Sequence, residues 1–329
     1  MKTFCKSLFQ NRFGKITYFS WEWGLMRLFF AFVVWHAAFP ATVKTFFADS
    51  DGSKFALTDI REEIDREKAN GLAHWFDLEW MGRLPVETGL HFVFVALLIF
   101  YLSGKLPLIA TGLLLLLYSL IGAIESSPAK DHHATQIVGM VLLGQFLWFA
   151  FEAVRKKWFP KIGGPDRPTG AIFFSQQLIA AAYTVSAISK WVNSGGGLIP
   201  GANWVSQVPN IAVQFLKNRQ QSYFDNLETI PPNSLNEKFT QFVIENPTLA
   251  MVAFAPAFFL EFFAILAVWN RRISLLYGTA LIAMHLGIAA IMRLPFVYFE
   301  AVCLIFLVNV PFWVWWLFEG RKQGAKIDS

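Results

Sequence analysis

Eight apolar runs, each long enough to cross a bilayer as a helix, recur along the whole of this 329-residue chain. A helix rises 1.5 Å per residue, so about 20 residues cover a hydrocarbon core of ~30 Å. The runs are Trp23 to Phe39, Val86 to Leu102, Leu106 to Ile124, Thr135 to Phe151, Ala171 to Ser189, Leu249 to Trp269, Ile273 to Ile291 and Phe296 to Phe318. Only Ser126 to His133 separates the third from the fourth. Hydrophobic residues make up 55% of the chain and charged residues 16%, with a mean hydropathy of +0.44, which disfavours a water-soluble globular domain. The expected fold class is all-α: a polytopic integral membrane helix bundle of about eight transmembrane helices, residues 1–329 forming one domain.

Basic residues in the connections set the orientation, because lysine and arginine are retained on the cytoplasmic side. Lys2, Lys6, Arg12 and Lys15 precede the first run, and Arg155, Lys156, Lys157, Lys161 and Arg167 follow the fourth. Arg271 and Arg272 join the sixth and seventh; Arg321, Lys322 and Lys326 end the chain. With eight spans all four clusters fall on one face, which places both termini in the cytoplasm of a plasma or inner membrane protein. The net charge of +5 is then a topology signal, and no nucleic-acid partner is expected. The basic start, apolar core and "AAFPA" at 37–41 also resemble a signal peptide. Pro40 and the need for a first span favour the membrane helix. Cys5 and Cys303 are the only cysteines, too few for a disulfide framework.

Two long polar connections, 41–85 and 191–248, emerge on the outer face. The first has apolar residues at near-helical spacing among mixed charges and reads as a short surface helix or two. In the second, Trp204, Val208, Ile211, Val213, Phe215 and Leu216 suit the membrane surface, and Pro231 with Pro232 break the chain beyond them.

An ionisable group inside a bilayer is costly unless paired or wet, so each one is a functional candidate. Glu261 and His285 lie within apolar runs and Glu300 near the outer end of the last. His36, Glu125, His132, His133, Lys190 and Arg293 stand at run ends. Counted from the outer end, Lys190, His132, His133, Arg293 and Glu300 fall near the outer boundary, His285 near the middle and Glu261 deeper. Such a set suits one outward-opening cavity, reached by a lipid-soluble ligand from the bilayer and a polar reactant from outside. Plainer roles compete with this. Lys190 suits snorkelling to the interface, and His132 and His133 suit an ordinary loop. His285 suits a neutral buried histidine bonded to a backbone carbonyl, Glu261 a helix-to-helix hydrogen bond, and Trp191 and Trp204 an interfacial aromatic belt. No spacing supports a metal site, a phosphate loop or a nucleophile elbow, and "SGGGLIPG" reads as a flexible loop.

Three stretches together, "DHHATQIVG", "FFSQQLIAAAYTVSAISKW" followed by "GANW", and the long segment from "FFLEFFAILAVW" to "VNVPFW", resemble the vitamin K-dependent γ-carboxylase-like family, also called HTTM (horizontally transferred transmembrane). The likeness covers most of residues 20–318. It implies a site at the outer end of the fifth run in which Lys190 deprotonates a reduced, vitamin K-like quinone. His133 or His132 and His285 would complete the catalytic set. Trp191, Trp204, Glu261, Arg293 and Glu300 would line the cofactor site, with no metal. "DHH" stands where the animal enzymes have "NNH", and Ser189 where they have a second lysine. The chain ends soon after its last run, so the resemblance concerns the transmembrane module. The expected function is a membrane-quinol-using enzyme, carboxylase-like or an oxidoreductase, acting at the extracytoplasmic face. Its partners would be membrane lipid and quinone, with an exported peptide or protein as substrate. The alternative is a non-catalytic membrane partner that binds an exported protein or another membrane subunit.

Overall fold

The junction between the second and third apolar runs shows how this chain turns from one helix into the next. Gly104 and Leu106 adopt left-handed φ values of 69° and 44°, and Pro107, whose ring fixes φ and needs no hydrogen-bond partner, starts the next helix. In the computed structural model the described residues are 16–40, 79–82, 84–126, 133–158, 166–194, 205–207, 210, 227, 235–292 and 294–320. Among them there is no strand.

Helix α1 spans Ser20–Ala38 and is opened by Glu22, whose Oε1 accepts the Phe19 N–H at 2.9 Å. Helices α2 (Leu84–Ser103), α3 (Pro107–Ser126), α4 (His133–Trp158) and α5 (Arg167–Asn193) follow. Helix α6 (Leu235–Glu245) meets α7 (Pro247–Phe262) at Asn246 with a bend of 101°. A 3₁₀ turn, Ala264–Val268, leads into α8 (Arg271–Met292), whose first turn is capped by Asn270 Oδ1 accepting the Ile273 N–H at 2.9 Å. The last run is not one regular helix. It comprises α9 (Val297–Val302), a π-helical stretch Cys303–Val308, a left-handed Asn309, α10 (Val310–Trp315) and a second π-helical stretch, Trp316–Gly320.

Each of the eight expected runs is thus helical over most of its described length, but the count of eight membrane spans is not reproduced. Among the described residues four segments are long and apolar enough on their own: Thr135–Trp158, Arg167–Asn193, Arg271–Ala290 and Val297–Glu319. The bent α6–α7 pair makes a fifth only if taken as one broken span or re-entrant unit. Within α2 and α3 the stretches Thr88–Ser103 and Pro107–Ala123 are apolar but shorter than the four. Helix α1 is diluted by Glu22, Arg27, His36 and three tryptophans. The expected surface helices within 41–78 and the membrane-surface segment from Trp204 to Leu216 lie outside the described residues, apart from short pieces.

Helix α5 is the hub, touching α1, α4, α7, the 3₁₀ turn and the π-helical stretch. Its approach to α4 is close because two glycines permit it. A Cβ on Gly170 would lie 2.0 Å from the Trp148 ring, and one on Gly144 2.8 Å from the Phe174 carbonyl oxygen. Phe30, Phe94, Leu114, Ile137, Leu142 and Phe306 fill the apolar centre around it.

The π-helical stretch leaves carbonyls that need donors, and two neighbouring helices supply them. Gln176 Nε2 donates to Phe306 O at 2.7 Å, and Ser274 Oγ to Leu307 O at 2.8 Å. At the same end, Glu22 is fully buried and accepts from Arg271 Nη1 and Nη2 at 2.8 and 2.9 Å and from Asn309 Nδ2. The Arg271 guanidinium lies between the rings of Tyr18 and Phe312, 4.2 and 3.9 Å from their centroids. A buried charge is tolerated only when paired and fully hydrogen-bonded, and this one is.

Candidate functional site

Tyr183, Ser186 and Lys190 follow one another at i, i+3 and i+7 on α5, which puts them on one stripe of the helix. Opposite the stripe stand α7 and α8. Lys190 Nζ forms an ion pair with Glu261 Oε2, to which Ser186 Oγ also donates at 3.4 Å. The Lys190 side chain is 31% exposed and that of Glu261 9%, so the pair has one face toward the surroundings and one in the protein. About two turns further along α5, Tyr183 OH meets His285 Nε2 at 2.8 Å and Cys303 Sγ at 3.4 Å. One consistent chain runs from the Cys303 S–H to the Tyr183 oxygen and from the Tyr183 O–H to His285 Nε2, which leaves the imidazole proton on Nδ1. His285 Nδ1 is buried and has no hydrogen-bond partner among the described residues. The expected backbone-carbonyl partner for His285 is therefore replaced by a tyrosine hydroxyl.

Aromatic rings enclose both polar clusters. The Trp191 ring lies 5.8 Å from that of Phe262 and 6.1 Å from that of Phe258. His285 packs 4.8 Å from Phe296 and 5.4 Å from Phe299, and Tyr183 5.6 Å from Phe299. Chemically, the arrangement offers a paired amine and carboxylate, an imidazole whose Nδ1 has no partner among the described residues, and flat apolar walls that suit a ring.

Of the residues singled out from sequence, Lys190, Glu261, His285 and Trp191 come together here. Glu300 is half-buried on α9, three residues before Cys303. His133 is the first residue of α4. His132, Trp204 and Arg293 lie outside the described residues. His36 is engaged elsewhere, its Nδ1 2.9 Å from Tyr298 OH. Among the described residues no group of three or more His, Cys, Asp or Glu side chains is placed to hold a metal.

Tyr183, Ser186 and Cys303 were not singled out from sequence. Tyr183 and Ser186 carried a readable signal, since both lie on the same helical stripe as Lys190, whereas nothing local to Cys303 marks it. Glu22 and Gln176 were also missed: Glu22 stands one residue before the first apolar run, and Gln176, inside the fifth, carries no charge and so fell outside a search for ionisable groups.

The arrangement has to be read on its own terms, because no family model, no curated protein and no solved structure matches the chain.

Proposed function

We propose that this chain is an eight-span membrane protein of the vitamin K-dependent γ-carboxylase-like (HTTM) kind, with both termini cytoplasmic. In this reading the Lys190 cluster is a site for a membrane quinol at the extracytoplasmic face. The observation that carries it is the Lys190–Glu261 pair beside a histidine with a buried nitrogen that has no partner among the described residues. In an apolar region an ion pair and a neutral pair differ by the transfer of one proton. In the neutral form of the pair, the Lys190 amine could act as a general base. Ser186 holds Glu261, Tyr183 holds the His285 ring, and His285 Nδ1–H is available to an oxygen acceptor. Trp191, Phe258, Phe262, Phe296 and Phe299 suit the faces of a ring. A quinol, when bound, would supply the acidic hydroxyl and the reducing equivalents; the residues bind, orient and take up the proton. The substrate modified at its expense would be an exported peptide or a small molecule.

The same ion pair favours a second reading. Lys190 and Glu261 satisfy one another across α5 and α7, as a structural clamp would, in a non-catalytic membrane partner of an exported protein or another subunit. Organic extraction and mass spectrometry of the purified protein separate the two. The first reading expects stoichiometric quinone in the wild type, lost in Lys190→Ala. The Lys190→Ala/Glu261→Ala variant, which leaves no lone buried charge, is expected to lose it as well while remaining folded. Absence of quinone from the wild type, or its retention in both variants, would return the pair to the clamp.

A further inference from the structure

At the end of the bundle that holds the α2–α3 turn, a groove of about 240 Å³ opens between the start of α3, the end of α4 and the start of α5. Its wall is apolar, formed by Leu106, Pro107, Ile109 and Phe149, and Lys156 and Arg167 stand in its lining. Both cations bind a single buried carboxylate, Glu152: Lys156 Nζ at 2.6 Å from Oε1, and Arg167 Nε at 3.2 and 3.1 Å from Oε1 and Oε2. Two positive charges therefore surround one negative charge. Arg167 commits only its Nε, so among the described residues both terminal nitrogens of its guanidinium remain without an acceptor, and Lys156 commits one of its three donors. Their side chains are 54% and 56% exposed. Two helices, α3 and α5, also begin at this groove, adding the partial positive charge of their N-terminal ends.

We infer that this groove binds an anionic phospholipid, one acyl chain lying along Leu106, Ile109 and Phe149 and the phosphate taking the unused donors of Arg167 and Lys156. Charge complementarity selects the occupant. An apolar channel with a net cationic mouth, at the ends of helices long enough to cross a membrane, matches a phosphodiester attached to hydrocarbon. A zwitterionic lipid brings its own cation into the same mouth and is disfavoured. The inference needs the membrane reading of the helices but not the quinol reading of the Lys190 site, which is on other residues.

Native mass spectrometry of the full chain, with phosphatidylglycerol and phosphatidylcholine supplied in equal amounts in mixed micelles, tests it. Wild type is expected to retain phosphatidylglycerol preferentially. Arg167→Gln should weaken that retention about fivefold. Ile109→Trp, at a half-exposed position, fills the groove and should weaken it without touching a charge. Glu152→Gln frees both cations and should strengthen it. Lys157→Gln, next to the groove residue but not part of the lining, should leave it unchanged. No preference in the wild type overturns the inference, as does Ile109→Trp behaving as wild type. Displacement of the bound lipid by millimolar inorganic phosphate with equal ease from wild type and Ile109→Trp would mark a free-anion site and overturn it too.

Discussion

Replacing Glu22 by glutamine removes the negative charge from a carboxylate that has no contact with solvent. In the wild type that carboxylate accepts from the Phe19 N–H, both terminal nitrogens of Arg271 and Asn309 Nδ2. The glutamine amide keeps one acceptor and turns two hydrogens toward donors. The Arg271 guanidinium, itself 5% exposed, is left as an uncompensated buried charge, for which the expected cost is about 3–5 kcal/mol. Against a typical total stability of ~5–15 kcal/mol, that is enough to lower the unfolding midpoint by many degrees. Arg271→Met in the Glu22→Gln background removes the stranded charge while keeping apolar bulk between Tyr18 and Phe312. The double variant is therefore expected to be more stable than Glu22→Gln alone, the reverse of what independent losses would give. Cys303 is fully buried and reports unfolding: in a Cys5→Ser background a fluorogenic maleimide reacts only as the bundle opens. The reasoning fails if Glu22→Gln melts with the wild type, or if the double variant melts below Glu22→Gln.

Two further outcomes rest on close approach and backbone geometry. Gly170→Ala places a methyl group about where the Trp148 ring now lies, with contacts of 2.0–2.4 Å, so it should destabilise the α4–α5 interface by about 1–3 kcal/mol, and Trp148→Phe in the same chain should recover part of the loss in the maleimide assay. Asn309 holds φ 52° and bonds Glu22; Asn309→Ala and Asn309→Gly both lose the bond, but alanine should melt lower by a further ~1 kcal/mol because only glycine adopts that conformation freely.

Most of the helices were legible because apolar run length and end signals are local properties. Pro107, Asn246 with Pro247, and Asn270 mark their helix boundaries in the sequence itself. The span count was less legible, since run length does not reveal a 101° bend or how polar residues dilute α1. Depth counting put Lys190 at the outer boundary, His285 near the middle and Glu261 deeper, but Lys190 pairs with Glu261 while His285 meets Tyr183 about two turns away, because a count from a run's end takes no account of how each helix is tilted or broken. It could not say that Lys190 and Glu261 touch. That depends on the rotation of α5 against α7, which the Phe258–Phe262–Trp191 packing sets, and no single segment encodes it. Arg271 shows the same gap from the other side: it was read as a topology marker, and its partner Glu22 lies 249 positions away.

The π-helical stretch in the last run has a consequence for helical phase. In a continuous α-helix each residue advances by about 100°, so the azimuth of every side chain after Cys303 would be fixed by those before it. The wide turns from Cys303 to Val308 and the left-handed Asn309 break that dependence. Phe299 and Cys303 can point at Tyr183 while Phe312 points at Arg271. Winding the run as regular α-helix through Asn309 would tie the azimuth of Phe312 to that of Cys303, so the contacts at Arg271 and at Tyr183 could no longer be set independently.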